Sequence, residues 1–128
     1  MSSILLVDDD EDILLFTKLV LEDEGYRVET ALTGQEALEK ARENQYDVIL
    51  LDYMLPDAKG NELALELNRL DESAVIFYLT GYYLSEEARG PGHVRDILLK
   101  PVSNDALLTA VRGALAPHVA GVGTGKVL

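Results

Sequence analysis

Acidic residues near two apolar segments could bind a metal ion. Asp8 and Asp9 come directly after the apolar run Ile4–Val7, and Asp52 follows another aliphatic run. Neighbouring carboxylates at the end of a buried strand repel one another unless a cation joins them. Their oxygen atoms suit Mg²⁺ or Mn²⁺, and the chain has no cysteine. We therefore predict that Asp8 and Asp9 help to hold a divalent cation, with capping of the next helix as the alternative.

The acids that continue this run have a simpler explanation. Asp10, Glu11 and Asp12 stand at the start of a helical pattern. Negative charge in the first turn of a helix is favourable because it complements the helix dipole. We expect these three residues to stabilise the helix.

Two further polar residues, like Asp52, end apolar runs, and each of the three could take part in chemistry. Asp52 is followed by a segment in which Pro56 keeps Leu55 extended, so capping of the next helix is the weaker explanation for this acid. Thr80 and Lys100 end later runs, and either alone fits a structural role as well as a functional one. Their combination with the acids is more specific, because each group ends a different predicted strand.

The elements that must position these residues alternate regularly along the chain. Short apolar runs, typical of strands, alternate five times with amphipathic stretches, typical of helices. This order predicts an α/β fold with a parallel sheet and helices on both faces, whose functional site lies at the carboxyl ends of the strands. Alternation in the second run predicts an edge strand. The predicted strands are Ile4–Val7, Tyr26–Ala31, Val48–Leu51, Val75–Leu79 and Ile97–Leu99.

The helices are predicted from their caps and apolar spacing. Gly25 ends the first helix, Thr33 with Glu36 forms a capping box that opens the second (through about Asn44), and Ser103 caps the last. The fourth helix is predicted to be short or irregular, because Tyr83–Arg89 is followed by Gly90-Pro91-Gly92. The expected buried faces are Ile13, Phe16, Thr17, Val20 and Leu21 in the first helix, Leu63, Leu67 and Leu70 in the third, and Leu107, Val111 and Leu115 in the last.

Composition limits the class of protein. The 128 residues carry a net charge of −12, which disfavours direct contact with nucleic acid. Apolar residues make up 48% of the chain, but no run is long enough to cross a bilayer. We expect a cytoplasmic protein without membrane contact, with one domain over residues 1–116 and a flexible tail or linker start over residues 117–128.

The separate motifs together resemble the receiver domain of response regulators in two-component signalling. They are Leu6-Val7-Asp8-Asp9, Asp52-Tyr53-Met54-Leu55-Pro56 with Gly60 eight residues after the aspartate, Leu79-Thr80-Gly81 and Lys100-Pro101. The resemblance covers about residues 3–116. It implies a flavodoxin-like fold with strand order 2-1-3-4-5. With neighbouring strands about 4.8 Å apart, the short side chains of Asp9 and Thr80 would reach Asp52, and the longer Lys100 would reach it from two strands away.

The resemblance also implies a function and a set of roles. Asp52 would accept a phosphoryl group from a histidine kinase or a phosphotransfer protein, with Thr80 and Lys100 assisting. Mg²⁺ (or Mn²⁺) would be held by Asp8, Asp9, Asp52 and the backbone carbonyl of Met54.

Two glycine or proline positions belong to this pattern as well. A cis peptide before Pro101 would aim the lysine, and Gly81 would leave room for the phosphoryl group.

The resemblance further implies that the module is a signalling switch that acts on an output domain or a separate effector. It would catalyse only its own phosphorylation and dephosphorylation.

One departure from the family pattern concerns output. The aromatic residue that usually lies three positions before the lysine is replaced by Ile97. The sequence instead resembles a subgroup with Thr-Gly-x-Tyr, so Tyr83, or otherwise Tyr82, could report the state of the site; alternatively both tyrosines only cover the fourth helix. Because that helix is predicted to be short, we expect a monomer or a weak dimer.

Three other functions are alternative interpretations of this sequence. A phosphatase of the haloacid dehalogenase type needs a second acid where Met54 stands. A P-loop around Gly121–Lys126 lacks the required residues at Ala120 and Val127. A pseudo-receiver that binds partners without phosphorylation remains the main alternative, although every residue needed for phosphorylation is present.

Overall fold

The structure is a computed structural model that describes residues 2–81, 84 and 94–116. Five parallel strands form one sheet in the order β2-β1-β3-β4-β5, which confirms the predicted flavodoxin-like fold. The elements are β1 (Ser3–Val7), α1 (Glu11–Asp23), β2 (Arg27–Ala31), α2 (Gly34–Glu43), β3 (Val48–Asp52), α3 (Gly60–Leu70), β4 (Val75–Thr80), β5 (Val94–Leu99) and α4 (Asn104–Leu115).

The three central strands are buried on both faces because helices cover the sheet from both sides. On one face Leu5, Ile49 and Tyr78 pack with residues of α2 and α3. On the other face the alternate residues of the same strands pack with α1 and α4. This double burial explains why β1, β3 and β4 read as nearly continuous apolar runs.

The edge strands differ from the central ones. β2 lies at one edge, as its alternating pattern predicts. β5 lies at the other edge and begins at Val94, three residues before the predicted run Ile97–Leu99. The sequence pattern missed this part because Arg95 and Asp96 are polar and exposed, which an edge strand tolerates on its open side.

The predicted caps form, with one change in partner. Thr33 Oγ1 accepts a hydrogen bond from the Glu36 N–H at 3.0 Å. Glu36 Oε1 reaches back to the N–H of Leu32 at 2.9 Å, one residue before the partner that a standard capping box would use. Ser103 caps α4 in the same way as Thr33 caps α2, and Gly25 follows α1 with a φ of 94°.

The predicted buried face of α1 is wrong in part. Ile13 is 39% exposed and Phe16 is 60% exposed, whereas Leu14 and Leu21 are buried against the sheet. Apolar residues occur on almost every side of this helix, so their spacing could not select the buried side. Leu70 was also predicted to be buried and is 43% exposed, because it is the last residue of α3.

Some predictions concern residues outside the described ones. These are the switch candidates Tyr82 and Tyr83, the fourth predicted helix with the following Gly90-Pro91-Gly92, and the tail 117–128. None of the helices in the described part of the chain has the length and apolar composition that a bilayer-spanning helix requires.

Candidate functional site

Three carboxylates converge at the carboxyl edge of the sheet. Asp8 directly follows β1, and Asp52 is the last residue of β3, the strand hydrogen-bonded to β1. One carboxylate oxygen from each of Asp8, Asp9 and Asp52 lies within 4.8 Å of the other two. Asp8 and Asp52 are buried, whereas Asp9 is exposed. The site therefore has two buried carboxylates, those of Asp8 and Asp52, and one carboxylate that faces solvent, that of Asp9.

The ammonium group of Lys100 enters the same site from beyond β5. Its Nζ donates to Asp8 Oδ2 at 2.8 Å and to Asp52 Oδ2 at 3.2 Å. Lys100 lies at the end of the strand that is two places from β3, so only a long side chain could make this contact. The Lys100–Pro101 peptide is cis.

Thr80 ends β4, between the strands that carry Asp52 and Lys100. Its neighbour Leu79 is the register partner of Asp52 on β3. The backbone carbonyl of Thr80 accepts a hydrogen bond from the Lys100 N–H at 2.8 Å, and the residue is only 1% exposed. β4 thus places a hydroxyl residue at the same edge as the acids and the ammonium.

The loop after β3 closes tightly on the site. The N–H of Met54 donates to Asp52 Oδ1 at 3.1 Å, and the N–H of Gly60 donates to the Tyr53 carbonyl at 2.9 Å. A Cβ on Gly60 would lie 2.9 Å from the Tyr53 Cα, so the close approach requires glycine. At Gly81, by contrast, an added Cβ would meet no described atom within 4 Å.

The electrostatics of the site favour a cation. Burial, and then the charge of Asp8, raises the pKa of Asp52 above its ordinary value against the opposing effects of the Met54 N–H and Lys100. Burial by itself lowers the pKa of Lys100, but its bonds to Asp8 and Asp52 outweigh burial and raise the pKa overall. Lys100 is therefore a stable ammonium.

The donor set fits a divalent metal ion. Three carboxylates and one ammonium leave two negative charges uncompensated when all four groups are ionised, and the ligands are hard oxygen atoms. Mg²⁺ prefers such oxygens and keeps several of its waters. Asp8, Asp9 and Asp52 are the residues that could hold it, and Met54 lies on the adjacent loop with its side chain exposed.

A groove lined mainly by apolar groups opens beside this site and was missed by the sequence reasoning. It has a volume of about 510 Å³ and lies between α1, α4 and the segment after β5. Its lining includes Ile13, Phe16, Leu79, Pro101 and Leu107, together with Lys100. The many apolar residues of α1 were the only sign of this groove in the sequence. Their spacing fitted a helix that buries them in the core equally well.

Aromatic residues behind the site were also missed. The ring of Tyr53 meets the ring of Tyr78 edge to face, with centroids 5.1 Å apart and an interplanar angle of 85°. Tyr78 is fully buried, and burial raises its pKa to about 12. Its register partner on β5 is Ile97.

Comparisons with known proteins give one consistent result. Residues 4–112 match the family model described as "Response regulator receiver domain". The response regulator ArlR of Staphylococcus saprophyticus is 33% identical over 116 residues, which are 90% of this chain and 53% of that protein. The chain thus spans about half the length of the curated relatives it matches.

Solved structures agree with the sequence comparison. A two-component response regulator from Clostridium difficile has a TM-score of 0.87 and 26% identity, covering 93% of this chain and 99% of that one. The response regulator protein TrrA from Thermotoga maritima, in complex with Mg²⁺ and BeF, has a TM-score of 0.82 and 34% identity, covering 90% of this chain and 100% of that one.

Proposed function

The chain belongs to the response regulator receiver domain family, and from that membership we propose that it is a phosphoacceptor switch whose reactive group is the carboxylate of Asp52. The observation that carries this proposal is the contact of 3.2 Å between Lys100 Nζ and Asp52 Oδ2, at a position that Asp8 and Asp9 also approach. An acid thus surrounded by one ammonium and two further acids is suited to accept a phosphoryl group with the help of a divalent cation.

The proposed reaction is a displacement at phosphorus. A carboxylate oxygen of Asp52 forms a bond to the phosphorus atom of a phosphohistidine on a partner protein, while the bond from phosphorus to the imidazole nitrogen breaks. The electron pair of that bond stays with the imidazole, which leaves and takes up a proton from solvent. The product on this chain is an aspartyl phosphate.

The chain's own groups assist mainly by position and charge, which dominate phosphoryl transfer. Lys100 neutralises charge on the transferred group, and the Thr80 hydroxyl donates a hydrogen bond to a phosphoryl oxygen. Asp8, Asp9, Asp52 and the carbonyl of Met54 would hold Mg²⁺, which would supply positive charge that reduces repulsion between the acids and the incoming group.

The proposed output begins at Thr80. Movement of its hydroxyl toward the phosphoryl group would shift the end of β4 and change the surface formed by β4, the segment that follows it and β5. Ile97 lies on this surface beside Tyr78, where the usual aromatic is absent. Tyr83, or otherwise Tyr82, remains the proposed reporter, and both lie outside the described residues.

The apolar groove beside Lys100 supports a docking site for the phosphodonor. Phe16 and Leu15 on α1 are 60% and 58% exposed, and the groove reaches from Phe16 to Lys100 itself. A histidine kinase or phosphotransfer protein that packs an apolar surface here would bring its phosphohistidine to Asp52. We further propose that residues 1–116 form this receiver domain, that residues 117–128 are a tail or linker start outside it, and that the switch acts on an output domain or a separate effector.

Phosphorylation is tested directly by intact mass. The native chain, incubated with Mg²⁺ and acetyl phosphate, is expected to gain one phosphoryl group, and Asp52→Ala is expected to gain none. Asp47→Ala is the matched control, because Asp47 lies just before β3, at the opposite end of the strand from Asp52. Absence of any gain in the native chain would support the pseudo-receiver, a protein-binding module, instead.

Sedimentation with and without the phosphodonor tests the proposed monomer or weak dimer.

A further inference from the structure

Asp57 joins the loop after β3 to the start of a helix that is distant in sequence. Its Oδ1 accepts a hydrogen bond from the N–H of Gly34 at 2.8 Å, and its Oδ2 accepts one from the N–H of Gln35 at 3.0 Å. Both carboxylate oxygens therefore bind the free backbone N–H groups in the first turn of α2, where a negative charge also complements the helix dipole.

The contact is close as well as charged. A Cβ on Gly34 would lie 2.9 Å from the Cβ of Ala58 and 3.2 Å from Cδ2 of Leu63. The first turn of α2 therefore packs directly on the loop that contains Asp57, and a side chain at Gly34 would push the two apart. The backbone N–H groups of Gly34 and Gln35 also lower the pKa of Asp57, which keeps its carboxylate ionised.

The other end of this loop is fixed at the acceptor site. Met54 and Lys59 form an antiparallel bridge, and the N–H of Gly60 binds the Tyr53 carbonyl. The N–H of Met54 binds Asp52 itself. The loop is thus held at its base by Asp52 and Gly60 and on its outer side by Asp57.

We propose that Asp57 is a positioning residue for the cation site: its two hydrogen bonds to the start of α2 hold the loop so that the Met54 carbonyl faces the acids. This inference rests on the proposed function, because it assumes that Met54 contributes a ligand. It adds a residue that contacts neither cation nor phosphoryl group and acts through the backbone of the loop.

The alternative is that Asp57 serves only to stabilise α2. Thr33 separates the two roles, because its hydroxyl accepts its hydrogen bond from the N–H of Glu36 within the same helix, whereas Asp57 binds that helix from the loop. Thr33→Ala should weaken α2 and leave the loop in place. Asp57→Ala should weaken α2 and release the loop.

The experiment measures Mg²⁺ affinity by titration calorimetry, with thermal unfolding of each variant as the measure of helix stability. Removal of a group that orients a metal ligand commonly lowers affinity by about 10–100-fold. We expect Asp57→Ala to bind Mg²⁺ about tenfold more weakly, near the lower end of that range, since one ligand of several is affected. Asp57→Asn keeps one acceptor oxygen and should be intermediate. Thr33→Ala should unfold at a lower temperature and bind Mg²⁺ like the native chain.

Amide hydrogen exchange provides a readout that does not depend on the metal. Asp57→Ala should speed exchange at Gly34, Gln35 and Gly60, whereas Thr33→Ala should speed it only within α2. The inference is overturned if Asp57→Ala binds Mg²⁺ as the native chain does, or if Thr33→Ala weakens binding equally. If the native chain itself binds no Mg²⁺, the proposed function fails together with this inference. Asp57→Asn decides the question if the alanine variant does not fold.

Discussion

Lys100 Nζ lies 2.8 Å from Asp8 Oδ2, although the two residues are 92 positions apart in the chain. The Asp8 side chain is 2% exposed and that of Lys100 is 23% exposed, so the pair is largely shielded from water. The ammonium therefore supplies positive charge to the same carboxylates that could bind a divalent cation. We therefore expect a bound cation to weaken the ion pair between Lys100 and Asp8, and this ion pair to weaken cation binding.

Lys100→Met is expected to change cation binding and phosphorylation in opposite directions. Without the ammonium, Asp8 and Asp52 repel each other and attract Mg²⁺ more strongly, so affinity should rise by a few-fold, on the order of 1 kcal/mol. Loss of one charged group at the reacting centre should lower the rate of phosphorylation by acetyl phosphate by on the order of 100-fold. Calorimetry and mass spectrometry measure the two effects.

Lys40→Met is the control for this prediction. Lys40 pairs with Glu36 on α2, where both side chains are about one-third exposed or more. An unchanged Mg²⁺ affinity in Lys40→Met and a raised one in Lys100→Met would identify a local effect. Equal shifts in both variants would mean that overall charge is responsible, and the proposed competition would be wrong.

Asp52→Asn is expected to stabilise the chain in a pH-dependent way. Burial, followed by the charge of Asp8, raises the pKa of Asp52, so ionised Asp52 is less favourable in the folded chain than in the unfolded chain. Its contribution to stability is fully present below its ordinary pKa and is lost as the pH rises through the raised value. In metal-free buffer, the urea midpoint of Asp52→Asn should exceed that of the native chain at pH 7, and the difference should shrink below about pH 4.

Asp57→Asn should show the opposite sign and serves as the control. The N–H groups of Gly34 and Gln35 lower the pKa of Asp57, so its contribution is present above the ordinary pKa and is lost as the pH falls through the lowered value. Asp57→Asn should therefore be less stable than the native chain at pH 7, with a smaller deficit in acid. A stability loss for both variants at pH 7 would contradict the account of Asp52.

Phe16→Ala is expected to impair phosphorylation by a protein donor but not by a small molecule. Phe16 lines the groove beside Lys100 and is exposed, so its removal should cost contact area with a kinase and little stability. The initial rate with a phosphorylated histidine kinase that transfers to the native chain should fall by on the order of tenfold. The rate with acetyl phosphate should not change. Leu70→Ala is the control, because Leu70 is also exposed but lies at the end of α3, just before the start of β4 and not on α1. An equal loss of rate with the kinase in Leu70→Ala would argue against docking on α1.

Gly60→Ala and Gly113→Ala are expected to change stability in opposite directions. A Cβ on Gly60 would lie 2.9 Å from the Tyr53 Cα, so the loop must shift, at a cost of about 1–3 kcal/mol. A Cβ on Gly113 in α4 would meet no described atom within 4 Å, and alanine in a helix should stabilise by about 0.5–1 kcal/mol. Chemical denaturation measures both. A neutral Gly60→Ala would mean that the packing of Tyr53 on this glycine is not important.

Sequence reasoning succeeded where one pattern had one structural solution. Continuous aliphatic runs such as Val48–Leu51 alternate with amphipathic stretches, which is the pattern of strands buried between two layers of helices, so the parallel sheet followed from them. It failed where a pattern was compatible with two solutions. The apolar residues of α1 occur around the helix, and only the fit to the sheet decided that Leu14 is buried and Phe16 exposed.

The sequence by itself determined the order of the elements and the polar residues that end each strand, because strand and helix periodicity and residue type are local properties. Tertiary structure alone decided the distances: the closer contact of Lys100 with Asp8 than with Asp52, the Tyr53–Tyr78 pair and the capping of α2 by Asp57. Each of these joins residues from different elements. Such contacts depend on how helices and loops pack on the sheet, and no local spacing in the chain encodes that packing.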